Sequence, residues 1–102
     1  MEKIGGMNYS FHPEAEAELI YAVNYYETCE GGLGYDFAVE VYVAVQRILA
    51  NPKAWQFIEE NIRRSLVNRF PYGVLYAEDK NEIYILAIMH LHRNPDYWKQ
   101  RM

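Results

Sequence analysis

His90, His92, Arg93 and Tyr97 fall close together near the carboxyl end of the chain, and no other cluster in the sequence carries groups suited to acid–base work on a phosphodiester. Cleavage of RNA by attack of its own 2′-hydroxyl needs one group to take that proton, another to protonate the leaving oxygen, and cations to stabilise the phosphorane. Histidine and tyrosine serve the first two tasks and arginine the third. On a strand, His90 and His92 share one face and Arg93 points to the other, so the three converge only if the strand ends near His90. The alternative is structural: His90 caps a core strand through a hydrogen bond and Arg93 anchors the tail. Two histidines without a neighbouring carboxylate or thiolate make a poor ligand set, so neither a metal site nor a cofactor is expected.

Arg63, Arg64 and Arg69 offer a second kind of chemistry. If all three lie along one strand, Arg63 and Arg69 share a face and Arg64 takes the other, which places one set on a sheet surface that helices leave open. Tyr72 and Tyr76 share a face of the following strand-like run. Arginines beside tyrosines clamp phosphates and stack on bases, but the same pairs also hold ordinary sheets together. Among the helical residues, Tyr26 points inward, while Tyr21 and Tyr25 point outward as candidates for a partner surface. Glu14, Glu16 and Glu18 are expected to compensate the positive end of a helix dipole. Trp55 and Trp98 read as packing anchors. Gly31, Gly32 and Gly34 read as a turn rather than a phosphate loop, because no lysine or Ser/Thr follows them.

The elements that position these groups belong to one small domain. The chain has 102 residues, 51% of them hydrophobic and 16% aromatic, and a net charge of −4. A chain of this length buries roughly 60 to 70% of its unfolded surface, enough for a single core. The longest apolar run, Ile83 to Met89, is far short of the roughly 20 residues of a membrane helix. The single cysteine, Cys29, has no internal partner, which suits a cytoplasmic protein. The charge is unevenly spread: residues 1–60 carry −7 and residues 61–102 carry +3. An acidic face and a basic one follow if the halves segregate, and a basic face suits an anionic partner.

Met7 to Phe11 alternates as a short first strand. Pro13 then starts a helix, where its missing N–H costs nothing. Ala15, Leu19, Ala22, Val23 and Tyr26 form one apolar face of that helix, which runs to about Glu30 and is broken by the glycines. From Leu33 to Asn51 alternating valines suggest a strand, but Phe37, Val41, Ala44, Val45 and Ile48 follow the helical template and the run is too long for a strand. A second helix ending at Asn51-Pro52 is predicted. Trp55 to Glu60 reads as a turn of helix or loop. Three strands follow, Ile62 to Asn68, Pro71 to Ala77 and Glu82 to His90, the last two joined through Asp79-Lys80-Asn81. Pro95-Asp96 opens a short helical turn. The order β-α-α-β-β-β implies an α+β domain with a helical hairpin packed on a mainly antiparallel sheet, whose last strand is covered on both faces.

Phe11-His12-Pro13-Glu14-Ala15, Asn24-Tyr25-Tyr26-Glu27, Gly32-Leu33-Gly34 with Phe37, Arg47-Ile48-Leu49, Ile62-Arg63-Arg64 and Arg69-Phe70-Pro71-Tyr72 occur in that order. They lead to Ile85 through His90, then Arg93, Pro95, Tyr97, Trp98 and Arg101. Over residues 7–102 the chain resembles the ParE/RelE-like toxins of type II toxin–antitoxin systems, nearer the ParE (plasmid stabilisation) branch. Residues 1–6 then read as a leader before a toxin domain at 7–102. The resemblance implies the β-α-α-β-β-β fold, growth inhibition, and neutralisation by a cognate antitoxin, with Tyr21 and Tyr25 as candidate antitoxin contacts. It implies DNA gyrase as the target, approached through a surface that includes Arg63, Arg64, Arg69, Tyr72 and Arg93. Operator DNA is then contacted only through the antitoxin, and no membrane is involved. The RelE branch implies an alternative, a ribosome-dependent messenger ribonuclease using Arg93 and Tyr97 with His90. A third reading is a non-toxic binding module on the same fold. Two departures favour binding over cleavage: the chain is net acidic, which opposes docking to RNA, and Gly73 stands where the messenger-cleaving branch carries an arginine.

Overall fold

The computed structural model describes residues 8–102; the predicted leader at 1–6 and the strand position Met7 lie outside that range. His12 turns the chain into the first helix, its Nδ1 accepting the Glu14 N–H at 3.0 Å. The side chain thus satisfies one of the helix's unpaired amino-terminal donors. Strand β1 (Asn8–Phe11) precedes it and helix α1 spans Pro13–Cys29. Helix α2 spans Leu33–Ala50, and the valine alternation is overruled by packing. Phe37, Val41, Ala44, Val45 and Ile48 are all buried, whereas Val39 is exposed.

The hairpin between the helices depends on one carboxylate and two glycines. Gly32 adopts φ 90°, a left-handed conformation that glycine reaches without strain. Glu27 bends over the turn and accepts the N–H groups of Gly32 at 2.9 Å and Gly34 at 3.0 Å, capping α2 from the preceding helix. At Gly34 the helices meet so closely that a Cβ would run into the Val23 carbonyl oxygen and the Glu27 side chain.

The remaining strands are β2 (Phe57–Glu59), β3 (Ile62–Leu66), β4 (Tyr72–Asp79) and β5 (Glu82–His90). They form one five-stranded sheet in the order β1-β5-β4-β3-β2. All neighbours are antiparallel except β1 and β5, which are parallel. Two expectations need correction. The Trp55–Glu60 segment is not a helical turn, because Phe57–Glu59 pairs with β3 as an edge strand. The third strand ends at Leu66 rather than Asn68, and Arg69 lies in the following turn with φ 74°.

Strand parity divides the core into two layers. Val74, Tyr76, Ile83, Ile85 and Ile88 pack against α1 and α2 together with Phe37, Val41 and Ile48. Ile62, Leu75, Leu86, Ala87 and Met89 line the opposite face, which Trp98 of the carboxyl-terminal tail covers. Interior strand β5 is therefore buried on both faces, as its unbroken apolar run requires. Leu86 is an extra residue in β5: Leu75 pairs with Ala87 and Tyr76 with Ile85, leaving Leu86 unmatched in a bulge. Burying Leu86 and Ala87 on the same face is the local consequence. The tail ends in a 3-10 turn, Lys99–Arg101.

Candidate functional site

The first turns of α1 present Glu14, Ala17, Glu18 and Tyr21 on one face, at the i, i+3, i+4, i+7 spacing. That face, the ends of β4 and β5 (Tyr72, Ile88, His90) and the tail arginines Arg93 and Arg101 enclose an open groove of about 430 Å³. Its floor is an ion pair. Arg101 donates to Glu18 Oε2 at 2.8 Å and Oε1 at 3.0 Å, and to the Leu86 carbonyl at 3.1 Å. Glu18 Oε1 also accepts the Ile88 N–H at 3.0 Å. The side chains of Arg101 and Glu18 are only 7% and 14% exposed.

The bulge explains why this pair exists. The β1–β5 ladder ends where the His12 N–H donates to the Ile85 carbonyl at 2.8 Å. Beyond Ile85 the edge of β5 has no strand beside it among the described residues, yet the Leu86 carbonyl and Ile88 N–H are buried and need partners. Arg101 supplies the donor and Glu18 the acceptor, so two side chains continue the sheet edge in place of a strand. Glu18 is therefore not the dipole-compensating residue that its sequence position suggests. Arg101 ionisation is further favoured first by its bond to Glu18 and opposed by burial, with a net upward shift.

Tyr97 lies under this pair. Its ring centroid is 3.6 Å from the Arg93 guanidinium and 4.9 Å from that of Arg101. The hydroxyl is buried without an aligned hydrogen-bond partner. Burial first, and the adjoining Glu18 carboxylate second, hold it well above the usual phenol range. A group so placed is poorly suited to exchange protons near neutral pH. Strand β5 does end at His90, and His90 and Arg93 line the same groove. His90 Nδ1 accepts the His92 N–H at 3.1 Å, which assigns the ring proton of the neutral imidazole to Nε2. The His92 ring packs against His90 at 5.2 Å, tilted by 60°, and Tyr72 meets His90 edge-on at 5.0 Å. Arg93 reaches Glu18 Oε2 at 3.5 Å. Arg93 thus touches the carboxylate that Arg101 holds by shorter bonds.

Arg63, Arg64 and Arg69 do not converge. Arg63 lies on the helix side of β3 opposite Tyr76, where it donates to the Trp55 carbonyl at 2.6 Å and the Lys53 carbonyl at 3.3 Å. It also stacks 3.8 Å above the Phe57 ring and so pins the loop before β2. Arg69 pairs with Asp36 of α2 at 3.5 Å, away from any strand face, because the chain has already turned. Arg64 alone lies on the opposite sheet face. Tyr76 is not a surface partner for any of them: it is fully buried and donates to the Pro52 carbonyl at 2.6 Å. Tyr72 joins Tyr26, Phe37 and Phe70 in an aromatic cluster and reaches the groove at its edge.

On the helices the expected division holds. Tyr26 packs into the core, while Tyr21 and Tyr25 are 72% and 54% exposed. Helix α2 adds Tyr35, Val39 and Tyr42, exposed at i, i+4, i+7 spacing, a stripe opposite its core-facing residues that periodicity could have revealed. The Glu18–Arg101 pair had no such signal, since its partners lie at opposite ends of the sequence.

Sequence comparison finds no matching protein-family model and no matching curated protein. Among solved structures, the chain is similar to one from the chromosomal ParDE TA system from P. aeruginosa. That match has a TM-score of 0.74 at 19% identity and covers 87% of this chain and 100% of the other. Two helices on a five-stranded, mostly antiparallel sheet are thus a ParE-like fold, the architecture that the sequence resemblance implied.

Proposed function

We propose that this protein is the toxin of a type II toxin–antitoxin pair, inhibits growth by binding DNA gyrase, and is neutralised by a cognate antitoxin. The observation that carries the reading is the likeness over the full length of a chain from a ParDE system. The exposed aromatic residues of the helical hairpin support an antitoxin surface, with Tyr21 and Tyr25 on α1 and Tyr35 and Tyr42 on α2. Tyrosines of this kind supply large contact area at low entropic cost, and no helix of the described residues is long and apolar enough to cross a membrane. In this reading the toxin domain covers residues 7–102, works in the cytoplasm, and meets operator DNA only through the antitoxin.

The tail supports action by binding rather than by cleavage. The Tyr97 hydroxyl is buried, and Arg101 is committed to Glu18. The exposed edges of Arg93, His90 and Tyr72 remain as contact residues for the target. The test is expression of the chain alone and together with the product of the adjacent reading frame, followed by assays of DNA supercoiling and messenger cleavage. Growth arrest with supercoiling inhibited, both reversed by the neighbouring protein, is the expected result. Ribosome-dependent messenger cleavage would replace it with the ribonuclease reading, and growth without arrest with that of a non-toxic binding module.

A further inference from the structure

A groove of about 410 Å³ opens where the carboxyl end of α2 meets the loop before β2 and the outer face of β3. Arg47, Arg64, Trp55, Gln56 and Asn68 contribute to its lining, and no carboxylate does. In a chain of net charge −4 this is unusual. Three other grooves that carry charge each include acids: Glu14 and Glu18, Asp79 and Glu82, or Glu59 and Glu60.

The two arginines are also the ones without intramolecular work. Arg63, Arg69, Arg93 and Arg101 each bond a carbonyl or a carboxylate. Arg47 and Arg64 have no side-chain hydrogen bond or ion pair among the described residues, and both line this groove. The negative end of the α2 dipole accounts for a cation at Arg47, but it does not account for Arg64. A glycine on the neighbouring strand leaves room for Arg64. A Cβ at Gly73 would come within 3.0 Å of Arg64 Cγ and Cδ, so the bare backbone of β4 is what lets the Arg64 stem lie flat across the sheet. Its main-chain N–H donates to the Gln56 carbonyl at 3.2 Å, tying two walls of the groove together.

We propose that this groove binds a phosphate ester of nucleotide size, with the Arg47 and Arg64 guanidiniums on the phosphate and the Trp55 ring as the apolar wall for the base. Guanidinium forks match phosphate oxygens in pairs, aromatic walls take bases of any identity, and the volume lies in the range of small-ligand sites, about 300–1,000 Å³. The phosphate has two possible sources, a free nucleotide or one unit of a single strand. The proposal is independent of the gyrase reading.

The experiment follows the amide and indole signals of the full chain by NMR during titration with adenosine 5′-monophosphate. A second titration uses a single-stranded tetranucleotide, and a third a short poly-glutamate peptide. Saturable shifts at Trp55, Gln56 and Asn68 are expected with a phosphate ligand. Arg47→Gln and Arg64→Gln should each weaken binding at least ~10-fold, the scale of one charged hydrogen bond. Arg64→Lys should fall between, and Arg69→Gln should bind as the parent does. Arg47 is an exposed helical residue, so its variant reports on binding even if Arg64→Gln folds poorly. Equal binding of mononucleotide and tetranucleotide assigns the site to free nucleotides, and binding of the tetranucleotide alone assigns it to a strand. No saturation with either, binding indifferent to Arg47→Gln, or equal binding of poly-glutamate would overturn the proposal.

Discussion

Replacing Arg101 by methionine keeps most of the stem volume and deletes a guanidinium that is 7% exposed. Four bonds disappear, two to Glu18, one to the Leu86 carbonyl and a longer one to Glu14 at 3.5 Å. The change leaves a carboxylate that is 14% exposed without its main counter-ion and a bulge carbonyl without a donor. Breaking one partner of a buried pair costs about 3–5 kcal/mol. The lower figure applies here, because Glu18 keeps the Ile88 N–H and lies within reach of Arg93. A loss of about 3 kcal/mol in a domain of this size lowers Tm by about 12 to 24 °C. Urea unfolding and thermal melts followed by circular dichroism measure both. The double change Glu18→Gln with Arg101→Met removes both charges while the glutamine oxygen still accepts from Ile88. It should recover at least half of the loss, since an uncharged replacement carries no unpaired ion. A single-variant loss below about 1 kcal/mol, or a double variant no better than the single, would refute the account of the pair as the surrogate edge of β5.

Three further outcomes follow from the same geometry. Burial, more than the opposing charge of Arg63, pushes Tyr76 up to about 12. The stability it contributes is therefore complete below pH 10 and lost as pH rises toward 12, by about 2 kcal/mol; Tyr76→Phe should shrink the alkaline limb in urea unfolding by that amount, leaving the part due to Tyr97, and an unchanged limb would count against it. Gly34→Ala drives a methyl into the Val23 carbonyl and Glu27 and should cost about 1–3 kcal/mol. Gly31→Ala, with its nearest contact at 4.0 Å, should stay within about 0.5 kcal/mol by the same denaturation assay. Tyr97→Phe deletes a buried hydroxyl with no aligned partner, so stability should hold within about 1 kcal/mol and growth arrest should persist. A larger loss of stability would mean that Glu18 holds the hydroxyl, and abolished messenger cleavage in the variant would make Tyr97 catalytic.

Local pattern alone determined both helices and four of the five strands, because burial on one face writes a period of 3.6 or 2 into consecutive residues. The apolar face of α2 outweighed its valine alternation for that reason, and Pro13 and the glycines marked where the helices begin and turn. The outward position of Tyr21 and Tyr25 and the end of the last strand at His90 were legible in the same way. Short β2 was not, since three residues carry too little periodicity and the strand exists only through its pairing with β3. Arg69 was misplaced onto a strand face because parity arguments assume a strand that continues, and the turn after Leu66 ended it. Only the tertiary structure could decide that Glu18 and Arg101 are partners. The bulge at Leu86 leaves two buried backbone groups beyond the end of β1, and residues far apart in sequence are brought together to satisfy them. Likewise Gly73 acquires its meaning from Arg64 on the neighbouring strand. Composition and spacing record which face of an element is buried, whereas the pairing of charges across elements is set by where the chain returns in three dimensions.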